Sequence, residues 1–140
     1  MSKERKCILS HLKLLRNGEK RNIDKYSKAD TLEFSDNLIP DTMPREMLDD
    51  ILAFMKGVSE DIASQIYLVR KQITDDFFVS AFIVRFDDNA DEDLINETMD
   101  KIFYHLDTRP EDWQFALHLF GPRVSAAVNK VQGSCVYSKQ

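Results

Sequence analysis

Two stretches of the chain alternate in a way that suits pleated strands. Residues 62–70 and 77–86 are both rich in β-branched and aromatic residues. In the second stretch both alternating sets are apolar: Phe77, Val79, Ala81 and Ile83 on one side, Phe78, Phe82, Val84 and Phe86 on the other. A strand of that kind must be covered on both faces, so it is expected in the middle of a sheet with the other elements packed around it. Asp75 and Asp76 between the two stretches predict the turn of an antiparallel hairpin.

Helical periodicity appears on either side of this hairpin. Met47, Leu48, Ile51, Leu52, Phe54, Met55 and Val58 form a broad apolar stripe, with Pro44 near its first turn and Gly57 near its end. Leu94, Ile95, Met99, Ile102, Phe103 and Leu106 form a second stripe, while Asp93, Asn96, Glu97, Asp100 and Lys101 are expected to face water. Asp91, Glu92 and Asp93 suit the positive end of that helix dipole. Residues 113–120 alternate again as a strand, Gly121-Pro122 breaks it, and Val124, Ala127, Val128 and Val131 repeat at helical spacing up to Gly133. Residues 134–138 read as a last strand.

The N-terminal part is less regular. Ile8, Leu9, Leu12 and Leu15 predict a short helix stopped by Asn17-Gly18. Residues 19–41 read as loop or docked arm, with residues 31–34 the place for a short edge strand. The expected class is therefore α+β, an α/β sandwich with a mixed sheet of about four strands in the order α-β-β-α-β-α-β, preceded by an N-terminal helical arm. The strand-helix-strand units 77–120 and 113–137 favour right-handed parallel crossovers. Residues 1–41 are assigned to a helix and extended arm, and 42–140 to one α+β domain.

Charge adds one asymmetry to this picture. The 140 residues carry a net charge of −5, yet residues 1–30 hold nine Lys/Arg against four acids, and residues 87–112 hold ten acids against Lys101 and Arg109. Such an acidic density repels nucleic acid and attracts cationic surfaces. Asp87, Asp88, Asp91, Asp93, Glu97 and Asp100 are thus the candidate partner-binding residues, set against the alternative of a merely solvated face. The expected partner is another protein of cationic character rather than nucleic acid or membrane. No apolar run approaches the roughly 18 residues of a membrane span. The charged N-terminus is followed by no apolar core of a signal peptide, so a cytoplasmic location is expected. Cys7 and Cys135, at opposite ends and without metal-type spacing, read as reduced side chains.

Residues 47–139 resemble the C-terminal domain of the enhanced serine sensitivity protein SseB. The likeness is carried by Met47, Leu48, Asp49 and Phe54, by Ile66-Tyr67-Leu68, by the run from Phe82 to Asp87 leading into an acidic helix, and by Val136-Tyr137-Ser138-Lys139. The sequence departs from that family at Cys135-Val136, where Pro-Phe is expected, and the family's proteins are longer, with a preceding domain. The resemblance implies a bacterial cytoplasmic protein-interaction domain and no catalytic residues.

The residues themselves offer little catalytic chemistry. His11, His105 and His118 lie in no recognisable nucleophile context. Asp87, Asn89, Asp91 and Asp93 imitate the alternate oxygen ligands of a calcium loop, but Glu92 and Thr98 stand where such a loop needs Gly and a bidentate Glu. The four glycines are too scattered for a phosphate cradle. No cofactor, metal or catalytic residue is therefore expected. Two alternatives to a general interaction domain stay open: an immunity or inhibitor protein that neutralises a basic toxin through its acidic helix, and a small enzyme drawing on His118, Tyr67 and Asp87.

Overall fold

The computed structural model describes residues 7–9, 32–59 and 62–139. Within these residues the elements are β1 (Cys7–Leu9), β2 (Leu38–Ile39), α1 (Arg45–Ser59), β3 (Ala63–Thr74), β4 (Phe77–Phe86), α2 (Glu92–Asp107), β5 (Phe115–Leu119), α3 (Pro122–Asn129) and β6 (Cys135–Ser138). They build one mixed six-stranded sheet in the order β1-β5-β4-β3-β2, with β6 also paired to β3. The class is α+β.

The two apolar faces of β4 decide where everything else packs. Phe82, Val84 and Phe86 point into a core shared with Met47, Ile51 and Met55 of α1 and with Met99, Ile102, Phe103 and Leu106 of α2. Phe77, Val79, Ala81 and Ile83 point the opposite way, into a core closed by Ala127 and Val128 of α3, Val131 and Leu32. The helices thus divide two on one side and one on the other. Large side chains fill the α1/α2 side, and the shorter α3 lies over alanine and valine.

β3 and β4 form the antiparallel hairpin expected from the sequence, with Tyr67 opposite Ile83 and Leu68 opposite Phe82. β5 runs parallel to β4, in the register Ile83 to His118. The last crossover differs from expectation in where it lands. Both sides of β5 are occupied, by β4 and β1, so β6 joins the outer edge of β3 through Gln65, Ile66 and Tyr67. It is antiparallel to β3 and therefore runs the same way as β4 and β5. β2 takes the other half of that same edge, opposite Arg70 and Lys71.

The N-terminal segment corrects a further expectation. Ile8 and Leu9, read from sequence as the start of a helix, belong to β1, which pairs parallel to β5. An apolar trio that covers an open sheet edge satisfies backbone groups that a helix start would leave to water. The rest of that expected helix lies outside the described residues. The strand expected within residues 31–34 also fails: residues 32–34 are not extended into the ladder, and Leu38–Ile39 pairs with β3 instead. Two short strands beyond the expected four make the sheet six.

Local signals fix the helix ends. Asp91 caps α2, its carboxylate accepting from Leu94 N–H at 3.1 Å, and Pro122 starts α3 behind an extended Gly121. Gly133 turns the chain into β6 at φ +79°, a conformation that a side chain makes costly. No helix among the described residues is long and apolar enough to cross a membrane.

Because Phe82 is fully buried at the centre of the larger core, Phe82→Ala is expected to lower the unfolding free energy by about 3–5 kcal/mol. Phe78, partly exposed under the Arg70 guanidinium at 4.4 Å, should lose about a third of that on the same change. Urea denaturation of the two variants checks the difference.

Candidate protein-binding surface

The helix α2 buries Thr98, Met99, Ile102, Phe103 and Leu106 against the sheet. The helical period then forces Asp93, Glu97, Asp100 and Tyr104 onto a single outward stripe, and all four are exposed. Tyr104 is 70% exposed and Leu94 is 45% exposed, so apolar surface lies beside the acids. Between α2 and α1 the surface dips into a groove of about 580 Å³ lined by Phe54, Glu97, Asp100, Lys101 and Tyr104. Glu97 and Lys101 pair along the helix at 3.4 Å, an exposed contact that contributes little stability.

The structure divides the six acidic residues singled out in the sequence. Asp93, Glu97 and Asp100 share the outer ridge. Asp87 and Asp91 have local tasks instead: Asp87 is held by Lys139 at 2.7 Å, and Asp91 is the α2 cap. Asp88 is exposed at the end of β4, on the rim of a separate cleft. Only half of the set therefore presents one acidic surface.

Beside the groove lies a charged clasp that sequence reasoning missed. Arg109, only 8% exposed at its side chain, donates to Asp50 of α1 at 2.6 Å and to both carboxylate oxygens of Glu111 at 2.9 and 2.8 Å. His105 lies within 3.1 Å of the same guanidinium and stacks flat on Phe54, with ring centroids 3.9 Å apart. These contacts tie α1 to the end of α2 and set the position of Phe54 in the groove floor. Burial, followed by the Arg109 charge, lowers the His105 pKa, with Asp50 and Glu111 opposing. The hydrogen bond from Arg109 and its charge lower that of Asp50. The sequence signal was slight: an arginine between a helix end and Pro110-Glu111, with its partner on α1 59 residues away.

Of the three residues proposed for an unrecognised catalytic site, Tyr67 and His118 share the α3 face of the sheet on either side of Ile83, and Asp87 lies apart at the end of β4. His118 is 1% exposed on the α3 side of the sheet, and its Nε2 makes no hydrogen bond. Burial first, and the nearby Lys71 charge second, push its pKa down to about 3, with Asp36 opposing. Lys71, itself 5% exposed, pairs with Asp36 at 3.1 Å. The Tyr67 hydroxyl donates to Gln65 at 2.8 Å. Neither Tyr67 nor His118 lines the clefts that Asp87 borders. Among the described residues, no group of three or more His, Cys, Asp or Glu side chains could hold a metal ion.

Ser80 forms another polar knot, near the opposite end of β4. Its hydroxyl donates to Asp41 and accepts from the Trp113 indole N–H, both at 2.7 Å. Asp41 in turn accepts from Met43 N–H, fixing the approach to α1. No histidine takes part in this knot; the proton acceptor of the hydroxyl is Asp41.

Two outcomes follow from these buried charges. The folded chain holds His118 neutral while the unfolded chain protonates it near the ordinary 6.5, so stability is full above pH 6.5 and falls as the pH drops towards about 3. Below pH 6.5 this residue alone should remove up to about 1.4 kcal/mol per pH unit, and His118→Leu should flatten that part of the slope when unfolding is followed down to about pH 5. Arg109→Met should lower stability by about 1 kcal/mol in urea denaturation, because it removes three hydrogen bonds to carboxylates that water can then reach. No protein-family model, curated protein or solved structure matches the chain.

Proposed function

We propose that the chain is a bacterial cytoplasmic, non-enzymatic protein-interaction domain of the SseB C-terminal type, and that its partner is a cationic protein received on α2. The observation that carries this reading is the outward stripe of Asp93, Glu97 and Asp100 ending in the exposed ring of Tyr104. Carboxylates steer a basic partner, while a rigid exposed aromatic beside a groove supplies an anchor of the kind that dominates binding energy. The groove floor, Phe54, is immobilised by its stack on His105, so little ordering remains for binding to impose. The resemblance of residues 47–139 to the SseB C-terminal domain supports the same class.

The exposed Tyr104 within an acidic helix also favours a narrower version, an immunity or inhibitor protein that masks a basic toxin. A gene for a large secreted toxin immediately upstream supports that version, and an isolated housekeeping operon counts against it.

The general reading is tested by placing a photo-crosslinking phenylalanine analogue at position 104 in cells, and at Asn129 on the opposite face as a control. The expected result is a discrete adduct at 104, formed with a protein segment rich in Lys and Arg and absent at 129. Combined Asp93→Asn, Glu97→Gln and Asp100→Asn changes should weaken that association by about tenfold or more at low salt. An adduct indifferent to these changes, or none at 104, overturns the reading.

A further inference from the structure

A second site lies away from the α2 ridge. β4 and β5 are neighbours and run parallel, and Phe120 N–H closes their last rung on Val84 O at 3.0 Å. The chain leaves β4 for α2, which packs on the Phe82 side of the sheet, and leaves β5 for α3, which packs on the Ile83 side. Two adjacent parallel strands whose connections diverge to opposite faces open a crevice beyond their carboxyl ends, the position where open α/β sheets bind small ligands. In this chain it has a volume of about 430 Å³, within the range of small-molecule pockets.

Its lining is chemically selective. Ile95, Leu119, Phe120 and Pro122 provide apolar walls, and Leu119 is left 43% exposed at the mouth. Arg85 is the cation facing this space. Its guanidinium lies 4.8 Å from the centre of the Phe120 ring and donates once, to Gln65 at 3.2 Å. Among the described residues no carboxylate pairs with it, so further N–H donors of its fork are left for an incoming acceptor. Asp87 is neutralised by Lys139, whereas Asp88 stands exposed on the rim.

We infer that this crevice binds a small molecule with an apolar, flat body and a single carboxylate, the carboxylate paired with Arg85 and the body laid against Leu119, Ile95 and Pro122. A guanidinium already ordered by stacking matches a planar carboxylate through two parallel hydrogen bonds. The rim carboxylate Asp88 repels a second negative charge, which sets a monoanion apart from phosphates. This site is independent of any partner on α2.

The test uses the full chain labelled with ¹⁵N, titrated in amide correlation spectra with indole-3-acetate, with its neutral alcohol counterpart and with inorganic phosphate. Indole-3-acetate is expected to produce saturable shifts at residues 85–88 and 119–125, with half-saturation below ~10 mM. The alcohol and phosphate should bind at least ~tenfold more weakly, and Arg85→Gln should weaken indole-3-acetate by a similar factor with the rest of the spectrum unchanged. Ser125→Glu, which adds a carboxylate to the crevice wall, should act in the same direction. Shifts that map elsewhere, equal binding of phosphate, or insensitivity to both variants would overturn the assignment, as would no saturation up to ~10 mM.

Discussion

A strand apolar on both faces cannot leave either face to water, and β4 imposes this condition on the whole chain. Phe82, Ile83 and Val84 are fully buried in succession, although they point alternately to opposite sides. Helices must therefore arrive from both sides. The connection after β4 goes to one face and the connection after β5 to the other, so two features follow from one constraint. α2 turns its polar stripe outward because its apolar stripe is consumed by the sheet, and a crevice opens where the two connections part.

The two sides of the sheet balance differently. On the α1/α2 side, phenylalanine, methionine and isoleucine fill the space between sheet and helices, and the only strongly desolvated charge there among those described, Arg109, sits at the helix ends with two carboxylates around it. On the α3 side the helix is short and its buried residues are small. Polar groups enter the layer there: Lys71 paired with Asp36, and His118 kept neutral. A buried pair of this kind stabilises little compared with apolar filling, and its removal one partner at a time is what destabilises. The segment 32–38 is fastened over this side by Leu32 in the core and by the Lys130 ammonium, which donates to the carbonyls of Phe34 and Asp36.

What the sequence disclosed follows the range of the interactions involved. The β3/β4 hairpin and its turn were legible because a period of two and an Asp-Asp turn are local signals. So were the α2 stripe and its capping acids, since residues three and four apart report directly on one helix face. β3 runs to Thr74, past the expected Arg70, because the polar stretch Arg70-Lys71-Gln72 still alternates between a buried and a partly buried side. The failures are long-range. Ile8 and Leu9 fit a helical stripe as well as a strand, and only the open edge of β5, more than 100 positions along the chain, decides between them. The clasp joins Arg109 to Asp50 across a similar gap in information, and no spacing rule reports it. Of the acidic set, sequence gave the composition, but which carboxylates share a surface depends on the helix cap and on Lys139 arriving from β6.

The acidic density of residues 87–112 is consequently not one field with one purpose. Part of it is absorbed by folding: Asp91 satisfies an N–H at the start of α2, Asp87 accepts Lys139 and thereby ties the end of β6 to the end of β4, and Glu111 neutralises Arg109. These carboxylates face cations or helix donors at hydrogen-bond distance, and their outward potential is reduced accordingly. On the α2 stripe the internal reasons are weaker: Asp93 gains only the modest first-turn interaction with the helix dipole. Glu97 meets only an exposed lysine one turn on. A helix surface that sets acids in a row where folding gains little, and leaves Leu94 and Tyr104 in water beside them, keeps like charges close together and apolar surface hydrated. The cationic partner proposed for α2 would act on both: it would offset the repulsion and cover the apolar surface.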